Sequence, residues 1–164
     1  MKTAILGIGK SGISALKLAL ANSIDTYVIN LGDPKEWRCS NTYLEQLPLN
    51  RLLAQDDSHE LLKEVDWIVK SPGIDPRIQL FEGIDQAKII SEVEWAFRFY
   101  TGNAKIISIT GSNGKTTTST MLANYLELIG KKVFLGGNIG IAVCDFVNIN
   151  SDVDYIVLEL SSFQ

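Results

Sequence analysis

The chain has 164 residues, 46% of them apolar and 21% charged, which suits one ordinary folded unit or two small ones and excludes a disordered or fibrous chain. Its 15 basic and 19 acidic side chains leave a net charge of -4 with no basic stripe, so no nucleic-acid partner is expected, and no apolar run is long enough to make a bilayer a partner. Two distant cysteines, Cys39 and Cys144, and an amino terminus without the apolar core of a leader point to the cytoplasm.

From Lys2 the run Thr3-Ala4-Ile5-Leu6 enters the turn Gly7-Ile8-Gly9-Lys10-Ser11-Gly12. Apolar residues then recur at helical spacing at Ile13, Leu16 and Leu20. The pattern predicts strand, glycine-rich turn and helix. Short buried strands are expected at Tyr27–Ile29 and Asp66–Val69, separated by a polar stretch holding Pro34 and Pro48. Such alternation favours a parallel sheet covered by helices, because parallel neighbours need a crossover connection. Ser91-Glu92-Val93-Glu94 has the form of a capping box and predicts a helix start, with Trp95, Phe97 and Phe99 following and an end near Thr101–Asn103.

A second series begins at the strand Lys105–Ile109. It continues with a helix from about Lys115 to Leu128, a strand at Lys132–Leu135, the turn Gly136-Gly137-Asn138-Ile139-Gly140 and a strand at Tyr155–Leu158. A boundary is expected between residues 100 and 104, giving units over 1–100 and 101–164. With so few strands the second unit cannot cover both faces of an ordinary parallel sheet unless more chain or a partner supplies the rest. The sequence reads as cut short, with an uncovered sheet edge through which copies could associate.

The strongest chemical signal is Thr110-Gly111-Ser112-Asn113-Gly114-Lys115-Thr116-Thr117-Thr118 between an apolar strand and a helix. Glycines let backbone amides turn inward as an anion nest, and the helix amino terminus adds partial positive charge. Lys115 can reach the outer phosphates of a nucleotide, and the Thr116 hydroxyl can hold magnesium. A strict Walker pattern needs glycine where this chain has Ile109, so the loop is a shorter variant; the competing reading is a glycine loop that only caps a helix. Tyr155-Ile156-Val157-Leu158-Glu159 is an apolar strand ending in a carboxylate. At the carboxyl rim of an α/β sheet Glu159 lies beside the phosphate loop, where it serves either as a cation ligand or as a solvated strand end.

Gly7-x-Gly9-x-x-Gly12 is the fingerprint of a dinucleotide or diphosphate site, or of a turn that merely packs helix on strand. A nicotinamide enzyme should carry an acidic residue at the end of its second strand. Asn30-Leu31-Gly32 stands there instead, with Asp33 beyond, which leaves a dinucleotide oxidoreductase the weakest reading. His59 lies among Asp56, Asp57, Ser58 and Glu60 and reads as a surface residue, the aromatic cluster as helix packing, and Cys144 as a small buried apolar residue.

Four stretches together resemble the Mur ligases of peptidoglycan synthesis. They are Gly7–Gly12; Ser71-Pro72-Gly73-Ile74; Gly111–Thr117; and Gly136–Gly140 with Leu158-Glu159-Leu160-Ser161-Ser162-Phe163-Gln164. The phosphate loop is shared across the family and with folylpolyglutamate synthetases. The Ser-Ser-Phe-Gln ending points within the family to addition of D-glutamate to UDP-N-acetylmuramoyl-L-alanine. The resemblance implies a Rossmann-like UDP-binding domain followed by the beginning of a P-loop α/β ATPase domain, with ATP and Mg2+ as cofactors. It implies UDP-substrate binding by Gly9, Lys10, Ser11, Asn30, Leu31, Ser71, Gly73, Asn138, Ser161 and Gln164. ATP would lie on Gly111, Ser112, Asn113, Gly114, Lys115, Thr116 and Thr117, with Lys115 and Glu159 catalytic and Thr116 and Glu159 on the metal. Family members are usually monomeric, and they have a longer central domain and a third domain that binds the amino acid. The chain alone is therefore expected not to complete the ligation. A non-catalytic nucleotide-binding module and another member of the family are the other readings.

Overall fold

The computed structural model describes residues 1–75, 77–149 and 152–161. The first sheet contains β1 (Lys2–Leu6), β2 (Asp25–Asn30), β3 (Leu52–Ala54), β4 (Trp67–Lys70) and β5 (Ile89–Ser91), all parallel and ordered β3-β2-β1-β4-β5. The chain steps outward from β1 to β3 and then returns to start again at β4. The switch point thus lies between the carboxyl ends of β1 and β4, where open parallel sheets bind ligands.

Alternate residues of these strands point to opposite faces, and both faces are buried. Ala4, Leu6, Ile29 and Ile68 pack with Leu62 and Phe81 on one side. Ile5, Val28, Val69 and Ile90 face α1 (Lys10–Ala21) and α5 (Glu92–Phe97) on the other. Between β2 and β4 run three short helices, α2 (Pro34–Arg38), α3 (Thr42–Glu45) and α4 (His59–Glu64). Asp33 and Asn41 cap the first two by accepting the amides of Lys35 and Tyr43 at 2.9 Å.

The second sheet is formed by β6 (Lys105–Ile109), β7 (Val133–Gly137) and β8 (Tyr155–Glu159), parallel and ordered β6-β8-β7. Helix α6 (Lys115–Leu128) covers one face with Ser119, Ala123 and Leu126. Helix α7 (Val143–Ile149) covers the other, its Phe146 stacked on Phe134 of β7 with ring centroids 4.0 Å apart. The opposite side of α7 packs on α1 and α5. One apolar cluster therefore runs from Ile5 and Val69 through Ala15, Trp95, Val143 and Phe146 to Ile156 and Leu158.

With α6 on one face and α7 on the other, some apolar side chains of this unit still stay exposed. Ile106 on β6 is 49% exposed, and Met121, Tyr125 and Leu128 of α6 are 67%, 60% and 85% exposed. Helix α5 is shorter than its sequence suggests. It stops at Phe97, and the reciprocal half of its capping box gives way to an ion pair. Ser91 Oγ accepts the Glu94 amide at 3.1 Å, but the Glu94 carboxylate accepts from Arg98 at 3.2 Å. Trp95 is fully buried and meets Phe99 edge-on, so these aromatics do pack the core.

Candidate functional site

Each glycine of the first turn meets a different demand. Gly7 has φ +89°, in the left-handed region. Gly12 has no room for a side chain: a Cβ there would stand 1.9 Å from the Gly7 carbonyl oxygen, because α1 starts directly against the turn. Gly9 is the N-cap residue of α1 and has nothing within 4 Å of a Cβ position, so the packing of the chain does not require glycine there. Open space above a helix amino terminus suits a close backbone approach to a phosphate.

Across the switch point from this turn lies Ser71, whose amide donates to the Leu6 carbonyl at 3.0 Å and whose buried Oγ has no hydrogen-bond partner among the described residues. The turn it opens is closed by Ile74 N–H donating to the Ser71 carbonyl at 3.0 Å. Lys70 reinforces it, donating to the carbonyls of Ile74 at 2.9 Å and Ser71 at 3.4 Å. Burial lowers the affinity of this ammonium for its proton, a cost that the two carbonyls offset. Gly73 sits in the middle of this turn with open space around it.

Asn30 and Leu31 lie at the end of β2, on the opposite side of β1 from Ser71 and beside the first turn, whose Gly7 amide donates to the Ile29 carbonyl at 2.8 Å. Asn30 Nδ2 donates to the Leu31 carbonyl at 3.3 Å, Leu31 is 69% exposed, and a shallow groove runs past Leu31, Asp33, Pro34, Ala54 and Asp56.

The phosphate loop joins β6 to α6. Gly114, the N-cap residue, has φ +75°, and Gly111 has φ +149°. Lys115 folds back over the loop and donates to the Gly111 carbonyl at 2.7 Å. Ser112 and Asn113 lie exposed between them, and Thr116 and Thr117 follow Lys115 in the first turn of α6. The register that sets Ile109 opposite Glu159 brings the loop and the end of β8 together, and Thr116 Oγ1 donates to Glu159 Oε2 at 2.7 Å. Glu159 is 2% exposed, so this hydroxyl partly compensates a carboxylate withdrawn from water.

Glu159 also ties in a third turn. Its backbone carbonyl accepts the Asn138 amide at 2.8 Å, and β7 passes so close that a Cβ on Gly137 would lie 2.4 Å from the same oxygen. At the far end of this turn the Gly140 carbonyl accepts a hydrogen bond from Lys10 Nζ, which joins the two glycine-rich turns directly. Ser161 follows Glu159 at the same rim, and Gln164 lies outside the described residues.

Two contacts between the halves of the chain have no local signal in the sequence. Glu92, the first residue of α5, is 3% exposed, and its Oε1 accepts the Cys144 amide of α7 at 2.6 Å. Burial raises the pKa of the Glu92 carboxyl and pushes the Cys144 thiol up strongly, so that thiol is an inert core group. Lys17 of α1 pairs with Asp145 of α7 at 3.2 Å.

Residues 109–164 match the family model described as Mur ligase middle domain. Over 99% of its length the chain is 37% identical to the UDP-N-acetylmuramoylalanine–D-glutamate ligase of Cytophaga hutchinsonii and 36% identical to that of Coxiella burnetii, and it covers 36% of each. It thus spans little more than a third of the length of these curated relatives. A solved pseudomurein peptide ligase type C from Methanothermus fervidus is 23% identical with a TM-score of 0.45, over 99% of this chain and 33% of that one. The UDP-N-acetylmuramate:L-alanyl-gamma-D-glutamyl-meso-diaminopimelate ligase from Neisseria meningitides is 21% identical with a TM-score of 0.48, over 96% and 52%. The chain is thus similar in sequence to Mur ligases, and its residues 109–164 match the model of their middle domain.

Proposed function

We propose that this chain is the substrate-gripping part of an ATP-dependent ligase that adds D-glutamate to UDP-N-acetylmuramoyl-L-alanine in peptidoglycan synthesis. Residues 1–100 form the UDP-binding unit and residues 101–164 the first part of the ATP-binding unit. The observation that carries this reading is the 2.7 Å bond from Thr116 of the phosphate loop to the buried Glu159. A hydroxyl and a carboxylate held together beside a phosphate nest are the donor types that would hold Mg2+ together with a bound nucleotide. Mg2+ held by Thr116 and Glu159 would supply neutralising charge to the phosphates.

In the proposed reaction the substrate carboxylate attacks the terminal phosphorus of ATP. The bond to the bridging oxygen breaks, ADP leaves with that electron pair, and an acyl phosphate forms. The amine of D-glutamate then attacks the acyl carbon, phosphate leaves, and the amine loses its proton. Lys115 exchanges the Gly111 carbonyl for the phosphate oxygens and offsets the repulsion between two approaching anions. Gly111, Ser112, Asn113, Gly114, Thr116 and Thr117 line the ATP phosphates. Gly9, Lys10, Ser11, Ser71, Gly73, Asn138, Ser161 and Gln164 grip the diphosphate and muramoyl portion, with Asn30 and Leu31 by the uridine. The Ser71 hydroxyl, unpartnered among the described residues, and the open space at Gly9 support this assignment.

Calorimetric titration of the chain with UDP-N-acetylmuramoyl-L-alanine and with Mg-ATP tests the proposal. Binding of both, with Lys115→Ala removing only the second, is expected. Failure of both ligands to bind overturns it. Phosphate release with both substrates and D-glutamate is expected to be nil, because the residues assigned above hold ATP and the UDP substrate and none of them positions the amine.

A further inference from the structure

Helix α7 begins three residues after Gly140, so whatever fixes its first turn also fixes the turn that carries Asn138 and meets Lys10. The residue before it, Ala142, has no side-chain acceptor to offer its first-turn amides. The Cys144 amide instead donates at 2.6 Å to Glu92, 52 residues earlier in the chain, and Cys144 Sγ lies 3.4 Å from the Glu92 backbone carbonyl. Glu92 is itself enclosed by the core. It is 3% exposed, follows the cap Ser91 at the end of β5, and starts a helix whose Trp95 and Ala96 are fully buried. A buried carboxylate aimed at orphan amides of a helix start is a strong, directional anchor. Lys17–Asp145 adds a partly exposed contact along the same helix.

We propose that Glu92 is a positioning residue of the substrate cleft: by capping α7 from the first unit, it holds the Asn138–Gly140 turn at its working distance from the Gly7–Gly12 turn. The inference rests on the reading of those turns as the UDP-muramoyl site. It concerns the gap between the two arms, not the phosphate loop, which is carried by β6 and α6.

The test uses the whole chain with Glu92→Ala, Glu92→Asp and Glu92→Gln. Alanine removes the acceptor, aspartate withdraws it by one methylene, and glutamine keeps an acceptor oxygen at full reach. Losing a charged hydrogen bond should weaken UDP-N-acetylmuramoyl-L-alanine binding about tenfold in the alanine and aspartate variants while Mg-ATP affinity stays within about twofold. Cys144 is a built-in reporter, since it is buried while Cys39 is exposed. Its labelling by an aromatic disulfide reagent should accelerate in both variants while that of Cys39 does not change. Glutamine should restore both readouts. If alanine does not fold, aspartate carries the same expectation. Equal loss of both ligands reduces Glu92 to general stability and overturns the inference, as do unchanged binding and unchanged Cys144 labelling. A wild-type chain that binds neither ligand overturns the functional reading itself, which distinguishes the two failures.

Discussion

Gly9 and Gly12 offer the sharpest separation of what the fold needs from what the ligand needs. A Cβ on Gly12 would lie 1.9 Å from the Gly7 carbonyl oxygen, 2.9 Å from the Gly7 carbonyl carbon and 3.3 Å from Ser71 Oγ. Relief requires α1 to retreat by more than an ångström, yet Ala15, Leu16, Leu18 and Ala19 lock that helix into the core. Overpacking of this kind against backbone costs about 3 kcal/mol, the upper part of the usual range, and for a chain of this length lowers Tm by about 6–12 °C. Gly9 is the opposite case. Its φ of -68° and ψ of -176° are open to any residue, and nothing lies within 4 Å of its Cβ position. Gly9→Ala should leave stability unchanged or raise it by about 0.5 kcal/mol, because alanine restricts the unfolded chain. It should nevertheless weaken UDP-N-acetylmuramoyl-L-alanine binding, since the added methyl occupies the approach to the amides of α1. Thermal denaturation and calorimetric titration of the two variants decide the matter. Gly12→Ala as stable as wild type, or Gly9→Ala with undiminished ligand affinity, would refute the division of roles.

Thr116→Val deletes the hydroxyl that faces Glu159 and should weaken Mg-ATP binding at least about tenfold while sparing the UDP ligand; equal affinity for Mg-ATP would remove Thr116 from the site. Glu92→Gln has a pH signature. Burial raises the Glu92 pKa above its ordinary value of 4.5, so the folded chain binds more protons than the unfolded one between 4.5 and the raised value. Wild-type stability relative to the glutamine variant should therefore be highest below 4.5, fall as pH rises through that window and level off above it. The groups facing Glu92 are Cys144 and Asp145, the latter paired with Lys17, and urea denaturation of both proteins from acid to neutral pH measures the difference. The outer edge of β6 carries the half-exposed Ile106 and no strand among the described residues. Sedimentation should show self-association that rises with concentration and is suppressed by Ile106→Lys; a monomer at every concentration would contradict this.

The phosphate loop and its helix were legible because their signals are local. Glycines sit where the backbone turns left-handed, Lys115 opens the helix, and apolar spacing carries it to Leu128. The first turn was equally readable, since the close approach of Gly12 to Gly7 is written in the spacing of the fingerprint itself. The three-residue edge strands at Leu52–Ala54 and Ile89–Ser91 were not, because a strand so short has no periodicity to detect and exists through its pairing with β2 or β4. Helix α7 escaped for a related reason. Seven residues preceded by Ala142, which has no capping side chain, give no start signal, and the acceptor for the Cys144 amide comes from Glu92, which within its own segment reads as an ordinary first-turn acid. Cys144 was legible as buried, but its neighbour was not. Lys70 lies just past the expected strand Asp66–Val69, and its hold on the Ser71–Ile74 turn emerges from three-dimensional packing alone.

Helix α7 presses Val143, Cys144 and Val147 toward α1 and α5 while Phe146 covers β7. Peeling either sheet away strips the shelter from the other, so the connection near residue 102 is no hinge of independent modules. Calorimetry should record a single melting transition, and a protease nick in that connector should leave both pieces clinging together until the whole assembly comes apart at once.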